Sequence, residues 1–352
     1  MPLFTTLIPL AVLAYPLTVL ASPWYQDPSS PVHNLFRRGP EEGVTYAPVG
    51  SRDWSSGFPG RNYDPSDVPQ AWKDALKVAE NAGKIPDIPA SNNTPGTNPV
   101  YPVGFNPTSP QVCSATYKCR HAGDIWDAPN GVFATAFDDG PTLYTPKLVN
   151  FLDSHNVTAT HFVIGINILG YPEEFLWTLS RGQDLGLHTW THPYMTTLTN
   201  DRLIAEFGWS MLLIRNSTGG LLPKYWRPPF GDCDNRVRAI AKEIFNLTTV
   251  VWNKDTRDWS LTSGGTTMKI VEASMKNWTS GPKDPGLIIL EHELSNYSVD
   301  AFINAFPLIK NNGWHLKSLT RLWSNSPYQE KNGSAAKLFR DPEFPVRNTT
   351  AV

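Results

Sequence analysis

The sequence has no excess of charge of either sign and no long run of basic residues. Its 30 lysines and arginines balance 32 aspartates and glutamates, so the formal net charge is -2 at pH 7. Because nucleic-acid binding depends on clustered cations, this balance argues against a nucleic-acid partner. After residue 25 the chain also lacks an apolar run approaching the roughly 20 residues that a membrane span requires. We therefore expect no nucleic-acid partner and no membrane span. We also expect the mature protein to be a soluble monomer.

Cysteine is scarce as well, with 3 in 352 residues. No two cysteines have the Cys-x-x-Cys spacing of a thiolate metal site, so we expect no cysteine-based metal centre. Three pairings are possible, and each leaves one thiol free. Because Cys113 and Cys119 are close in the sequence, we expect a Cys113–Cys119 disulfide with Cys233 free.

The chain is rich in aromatic residues, with 13 Trp and 16 Phe, and 40% of its residues are hydrophobic. This composition is typical of a folded protein with a large core and argues against disorder. The length allows two or three domains, or one α/β barrel with extensions.

The first residues indicate export from the cell. Residues 3–21 are apolar and almost uncharged, and Val19 and Ala21 fit the small-residue positions of a signal-peptidase site. We therefore expect residues 1–21 to be a signal peptide; a buried N-terminal helix is the alternative, since no Lys or Arg precedes the run. Eight Asn-x-Ser/Thr sequons begin at Asn92, Asn156, Asn216, Asn246, Asn277, Asn296, Asn332 and Asn348. We expect a secreted glycoprotein, either extracellular or in the cell wall.

The mature chain divides into three regions by its pattern. Residues 22–125 form a Pro-rich, irregular N-terminal extension in which residues 66–83 predict one capped helix. Over residues 126–325, short apolar runs alternate with helical patterns, which is typical of βα units around a parallel sheet or barrel. Residues 326–352 form a polar C-terminal tail. The predicted strands are 132–137, 160–164, 184–187, 247–252 and 287–290, with helices over 146–152, 203–214 and 237–244.

Chemically capable side chains follow these strands at the points where the strands end. They are Asp138, Asp139, His188, Asp258 and His292, together with Arg227, which follows a short possible strand at residues 225–226. Because parallel βα folds assemble their active sites at the carboxyl ends of the strands, we expect these side chains to converge on one rim.

Read as chemistry, this set predicts a metal site with acid–base groups. His188 and His192 can place two imidazoles on one ion, and an aspartate adds a third ligand, which leaves an open position as in catalytic zinc sites. Asp138 and Asp139 are consecutive, so their side chains are expected to point apart, one to the metal and one to a water. Each motif alone also fits a turn or a structural ion pair, but together they predict one site.

With these residues in view, the chain resembles the polysaccharide deacetylases of carbohydrate esterase family four, and within them the fungal chitin deacetylases. Five motifs match in order: FDDGP at 137–141, HTWTHP at 188–193, RPPFG at 227–231, DTRDW at 255–259 and LEH at 290–292. The resemblance implies a distorted, incomplete (β/α) barrel. It also implies a divalent metal, usually zinc or another such as cobalt, and the removal of N-acetyl groups.

The resemblance further implies a role for each matching position. Asp139, His188 and His192 would hold the metal. Trp259 and Leu290 would form a small apolar wall for the acetyl methyl group.

The remaining matching positions would carry the proton transfers. Asp138 would be the general base and His292 the general acid. Arg227 would hold Asp138 as a carboxylate, and Asp258 would hold the imidazole of His292. The backbone N–H of Phe230 would help to bind the oxyanion, although the family more often has Tyr at this position.

The expected reaction is hydrolysis of N-acetyl groups from the N-acetylglucosamine units of chitin or chitin oligomers, giving chitosan and acetate. An acetyl-xylan esterase and a peptidoglycan deacetylase are alternatives, because the same metal site serves them. A non-catalytic cell-wall glycan-binding protein is a more remote alternative, since every ligand and proton carrier is present.

Overall fold

The computed structural model describes residues 31–32, 35–36, 45–94, 96–324 and 326–329. The expected signal peptide over residues 1–21 lies outside these ranges, as do the sequons at Asn332 and Asn348 and most of the C-terminal tail. Among the described helices, none is long and apolar enough to cross a membrane.

A parallel sheet of eight strands forms the centre of this α/β fold. The strands are β1 (Val132–Gly140), β2 (Thr160–Val163), β3 (Asp184–Leu187), β4 (Tyr225–Trp226), β5 (Thr248–Thr249), β6 (Lys254–Asp255), β7 (Leu287–Leu290) and β8 (His315–Ser318). Their order is β5-β4-β3-β2-β1-β7-β6, with β8 also paired to β1. Within the described ranges, β5 and β6 at the two ends do not pair with each other, so the curled sheet is an incomplete barrel, as predicted.

Strand β1 lies in the middle of the sheet, and its apolar residues are buried on both faces. Phe133 and Phe137 pack with the core cluster that contains Phe302, whereas Ala134 and Ala136 pack with the cluster that contains Phe162. Such near-continuous burial is expected of a strand covered on both sides of a parallel sheet. Residues 136–140 of β1 pair with β2, and the start of β1 pairs with β7 and β8.

Helices connect the strands and cover the sheet. Those of the barrel are α3 (Thr145–Ser154), α4 (Gly165–Gly170), α5 (Pro172–Ser180), α6 (Asn200–Ser217), α7 (Asn235–Phe245), α8 (Met268–Thr279) and α9 (Asn296–Asn311). The three helices predicted in this region are confirmed as parts of α3, α6 and α7. Helices α4, α5, α8 and α9 were not predicted.

The predicted strand over residues 247–252 is only partly correct, because the chain changes hydrogen-bond partners after Val250. The N–H of Val250 still donates to Trp226 in β4, but that of Val251 donates to Ile125 at 2.8 Å. The N–H of Asn253 then donates to Ile288 in β7 at 3.0 Å. The segment is therefore a two-residue strand followed by a crossing toward β6.

The described part of the N-terminal extension packs on the barrel. It begins with α1 (Arg52–Ser55) and contains the predicted capped helix as α2 (Gln70–Asn81). Trp72 on α2 is fully buried in the core cluster that also contains Phe207 of α6 and Phe245 of α7. The indole N–H of Trp72 donates to the carbonyl of Leu35 at 2.9 Å. The extension and the barrel therefore share one hydrophobic core.

The disulfide prediction is confirmed: Cys113 and Cys119 are bonded, and Cys233 is buried with a free thiol. The loop between the bonded cysteines lies against the chain that follows β4. There, the Ala115 N–H donates to the Cys233 carbonyl at 2.8 Å, and the Thr116 hydroxyl donates to Asp232 at 3.0 Å.

Candidate metal centre and active site

The end of β1 carries two consecutive carboxylates, Asp138 and Asp139, that both lie near His188. Asp138 pairs opposite Phe162 and Gly140 opposite Val163, so Asp139 is the extra residue of a β-bulge, with φ at 70°. Bulges redirect side chains, and they occur often beside active sites. As a result both carboxylates approach His188, whose Nε2 lies 3.2 Å from Asp139 Oδ1 and 4.0 Å from Asp138 Oδ2. The expectation that the two side chains point apart is therefore only partly correct.

Asp139, His188 and His192 form a compact cluster of possible metal ligands, with one ligand atom of each lying within 4.8 Å of the others. His188 follows β3 directly, and His192 lies four residues on, in a loop in which Thr189 and His192 have positive φ. Asp139 Oδ1 is 3.2 Å from Nε2 of each histidine. The three residues predicted as ligands are thus brought together.

The hydrogen bonds around the cluster fit a bound cation. His188 Nδ1 lies 2.7 Å from the carbonyl oxygen of Arg227, which can only accept, so Nδ1 carries the proton and Nε2 offers its lone pair. That lone pair faces Asp139 Oδ1, which is buried and receives no hydrogen bond. Two lone pairs aimed at each other are unfavourable unless a cation lies between them, and nitrogen and oxygen donors suit zinc and similar divalent ions.

The charge state of Asp139 agrees with this role. Burial raises the pKa of the carboxyl, but hydrogen bonds and positive charge from protonated rings of His188 and His192, whose place a cation would take in the loaded site, hold the pKa well below its ordinary value. The group is therefore a carboxylate at neutral pH, which is the form that binds metals.

Asp138 is held by a buried arginine. Arg227 Nη1 donates to Asp138 Oδ1 at 2.7 Å, and both residues are almost fully buried. The position of Arg227 is fixed by its own backbone N–H, which donates to Leu187 in β3 at 2.9 Å. Its guanidinium also lies 4.4 Å from the ring centre of Phe162. A buried carboxylate needs such a partner, and Asp138 keeps its second oxygen directed toward the cluster.

His292 and Asp258 form a second buried pair. His292 Nδ1 lies 2.7 Å from Asp258 Oδ1, and the backbone N–H of His292 donates to the other oxygen at 2.8 Å. Burial lowers the pKa of His292, but the negative charge and hydrogen bond of Asp258, aided by Asp139 and Asp138, raise it to about 10. His292 is therefore an imidazolium at neutral pH. It joins Asp138 through a parallel β-bridge, so the two side chains belong to adjacent segments of the sheet.

The three residues expected to contact substrate differ in exposure. Phe230 is 51% exposed and Trp259 is 46% exposed, which is unusual for such large apolar side chains. The Phe230 ring stacks on Tyr194 at 4.1 Å and meets the edge of His192 at 4.6 Å. Leu290 is buried at the end of β7. An aromatic surface therefore borders the histidine cluster.

Three charged or polar residues in and beside the site were not predicted. Glu293 is fully buried, and its Oε1 lies 2.9 Å from Nδ1 of His161 on β2. Glu291 is also buried, and this burial, with the nearby charge of Asp258, raises its pKa well above the ordinary value. The sequence contained signals for them, since His161 lies within a mostly apolar strand and Glu291 and Glu293 flank His292.

An incomplete parallel α/β barrel with an Asp-His-His cluster and paired acid–base groups at its strand ends is typical of metal-assisted hydrolases. Residues 127–246 match the family model described as Polysaccharide deacetylase. Chitin deacetylase 3 of Cryptococcus neoformans is 39% identical over 330 residues, which cover 91% of this chain and 78% of that protein. Chitin deacetylase 1 of Saccharomyces cerevisiae is 38% identical over 210 residues, covering 59% of this chain and 67% of that protein. The chain belongs to the polysaccharide deacetylase family.

Solved structures support the fold. The chitin deacetylase from the fungal pathogen Colletotrichum lindemuthianum aligns with a TM-score of 0.53 at 24% identity, covering 59% of this chain and 96% of that one. A peptidoglycan N-acetylglucosamine deacetylase aligns with a TM-score of 0.51 at 26% identity, covering 58% and 94%. The predicted distorted (β/α) barrel is thereby confirmed.

Proposed function

We propose that this protein hydrolyses N-acetyl groups from the N-acetylglucosamine units of chitin or chitin oligomers, giving chitosan and acetate. The observation that carries the proposal is the complete constellation at the strand ends: a three-ligand cluster, a buried base held by arginine and a buried acid held by aspartate. The 39% identity to a named chitin deacetylase over 91% of the chain supports the choice of substrate.

Asp139, His188 and His192 would hold a divalent metal, zinc or another ion such as cobalt. When bound, the metal would supply the Lewis acidity that polarises the acetamide carbonyl and activates a water. The hydrogen bond from His188 Nδ1 to the Arg227 carbonyl orients the imidazole for this role.

Asp138 would accept the proton of the attacking water. Its Oδ1 is occupied by Arg227 at 2.7 Å, so Oδ2, which faces His188, is the oxygen available as the base. Arg227 fixes the direction of the carboxylate, because the side chains of both residues are buried and cannot turn away.

His292 would donate a proton to the departing amine. An amide nitrogen is a poor leaving group unless it is protonated as the C–N bond breaks, and His292 carries the required proton at neutral pH. Asp258 holds the ring through Nδ1, so Nε2 is the nitrogen left to act. The backbone N–H of Phe230 would donate to the oxyanion.

The exposed aromatic side chains fit a carbohydrate substrate. Sugar rings present apolar C–H faces that pack on aromatic rings, and Phe230, Tyr194 and Trp259 offer such surfaces near the cluster. Trp259 and Leu290 would receive the acetyl methyl group.

We further propose that the protein works as a secreted or cell-wall monomer whose catalytic domain spans residues 126–325. All seven polar site residues belong to one chain, so no second copy is needed to complete the site. Four sequon asparagines are exposed and fit glycan attachment, namely Asn92, Asn156, Asn277 and Asn296. Asn216 and Asn246 are partly buried and are poorer acceptors.

The proposal is tested by measuring acetate release from chitin oligomers, acetyl-xylan and peptidoglycan side by side, with and without a chelator. We expect release from chitin oligomers that the chelator abolishes and added zinc restores. The matched control is Asp138→Asn, which is nearly isosteric but cannot accept a proton. It should keep metal and substrate while losing about 10²–10⁴-fold in rate.

Each other outcome identifies a different protein. Release from acetyl-xylan or peptidoglycan alone would replace the proposed substrate with that polymer. Binding of chitin without release from any polymer would identify a glycan-binding protein. Full activity after exhaustive chelation, checked by metal analysis, would refute the assignment of Asp139, His188 and His192.

A further inference from the structure

The loop that carries the two histidine ligands is held from behind by a single buried carboxylate. Glu206, on α6, is 1% exposed. Its Oε2 accepts the backbone N–H groups of Trp190 and Thr191, each at 2.8 Å. Its Oε1 accepts the Thr191 hydroxyl at 2.6 Å and the Tyr63 hydroxyl at 2.8 Å. Both anchored residues lie between His188 and His192, so this carboxylate sets the path of the chain between the two ligands.

The N-terminal extension supplies part of this anchor. Tyr63 is half-buried, and burial together with the charge of Glu206 raises its pKa well above the ordinary value, so the phenol stays protonated and donates. The guanidinium of Arg61 donates to the Thr191 carbonyl at 3.2 Å. The ring of Phe58 packs at 6.2 Å from the buried Trp190 ring.

A loop of this kind needs support because its backbone is unfavourable. Thr189 and His192 both have positive φ, a conformation that costs side-chain-bearing residues energy and persists only where the surroundings enforce it. Four hydrogen-bond donors directed at one buried carboxylate provide that enforcement.

We infer that Glu206 and Tyr63 are positioning residues for the metal site, and that the N-terminal extension is a working part of that site. They act through Trp190 and Thr191 on the direction of the His192 imidazole and do not touch substrate. This inference rests on the proposed metal site.

The test is a titration of the metal-free full-length protein with Zn²⁺ alone, in competition with a chromophoric chelator. Glu206→Gln keeps the shape of the side chain, but an NH₂ group replaces one of the two oxygens. That group cannot accept the hydrogen bonds that the replaced oxygen accepts in the wild type. We expect its Zn²⁺ affinity to fall about 10–100-fold, the usual cost of losing a group that orients a ligand. Tyr63→Phe removes one donor of four and should cost about 3–10-fold.

Two further variants separate positioning from general stability. Because Tyr63 acts through Glu206, the double variant should bind Zn²⁺ no more weakly than Glu206→Gln alone. Tyr117→Phe is the matched control, since its hydroxyl donates to the Pro99 carbonyl within the extension. It should bind Zn²⁺ like the wild type. The Tm of each metal-free variant and its Co²⁺ absorption spectrum are recorded alongside.

Wild-type Zn²⁺ affinity in both Tyr63→Phe and Glu206→Gln, with a lowered metal-free Tm, would overturn the inference and make the anchor merely structural. If Glu206→Gln does not fold, the inference is decided by comparing the Zn²⁺ affinity of Tyr63→Phe with that of Tyr117→Phe. Unchanged affinity in a protein that deacetylates chitin refutes only this inference. A protein that binds Zn²⁺ and shows the expected losses, but releases no acetate from chitin, refutes only the proposed substrate.

Discussion

At the residue scale, the site contains two buried charge pairs of opposite kind. Asp138 is paired with the guanidinium of Arg227, whereas His292 is paired with the carboxyl group of Asp258. The same buried surroundings therefore place a positive partner beside one group and a carboxyl partner beside the other, as the proposed roles of base and acid require. Pairs of titratable groups whose environments favour opposite forms are characteristic of acid–base catalysis.

Removing His292 should lower the reaction rate by an amount that depends on the leaving group of the substrate. An amine requires a proton as it leaves, whereas the alcohol of an activated acetate ester departs largely unaided. We expect His292→Ala to lose about 10²–10⁴-fold on a chitin oligomer and much less on the ester. Acetate release on both substrates measures the difference. Equal losses on the two would assign His292 to binding or to oxyanion contact instead.

Removing the charge of Asp258 should change the pH profile. The carboxylate favours the protonated ring, and the pKa of His292 is raised to about 10. An active acid must be protonated, so activity is lost as pH rises through this pKa. In Asp258→Asn the amide oxygen still accepts from Nδ1, but the negative charge is gone. We expect the alkaline limb of kcat/KM to move to lower pH by about 1–3 units; an unmoved limb would show that another group controls it.

At the element scale, the bounds of an element were predicted most accurately where a short apolar strand is followed at once by a polar residue. The bounds of β3 and β7 match their predictions, because the apolar run of each strand ends sharply at a polar residue, His188 or Glu291. Helix α8 was missed because few of its residues are buried, so its apolar face is narrow. Helix α9 contains Pro307, a residue that ordinarily argues against a helix interior.

The ten predicted site residues are marked by a local sequence pattern, whereas the residues that were missed are defined by contacts with distant parts of the chain. The proposed ligands and proton carriers sit at strand ends or, for His192, in the loop directly after one, so one sequence pattern marks them. Glu206, Glu293 and His161 act through partners more than ten residues away in the sequence. Only the folded chain shows which carboxylate meets which donor, and no local pattern encodes that pairing.

The end of β1 is predicted to tolerate no side chain at Gly140. A Cβ there would lie 2.0 Å from Oε1 and 2.4 Å from Cδ of Glu293, which is fully buried and bound to His161. Because neither partner can move aside, we expect Gly140→Ala to lower the free energy of unfolding by about 1–3 kcal/mol. Gly60→Ala is the control, since no heavy atom lies within 4 Å of its new methyl group. Equal stability of the two variants in urea unfolding would contradict this packing.

At the scale of the whole molecule, the extension and the barrel are joined by one core as well as by the metal-site anchor. Trp72 contacts aromatic side chains on two barrel helices, with ring centres 5.1 Å from Trp209 and 6.5 Å from Phe245. Its indole ring also fills the space beside Gly208, where a Cβ would come within 2.4 Å of it. The predicted capped helix of the extension is therefore attached to the barrel by a fully buried tryptophan.

Truncating this tryptophan should destabilise the entire protein and not the extension alone. Removing a buried Trp side chain leaves a large cavity and typically costs about 3–5 kcal/mol. Because the core is shared, we expect Trp72→Ala to lower the free energy of unfolding by this amount in one cooperative transition. Trp323→Ala, which removes the same group from a 46% exposed position, should change it by no more than about 0.5 kcal/mol. Denaturant unfolding followed by circular dichroism measures both variants. A separate early transition in Trp72→Ala, with the barrel unfolding as in the wild type, would show instead that the extension folds onto an independently stable barrel.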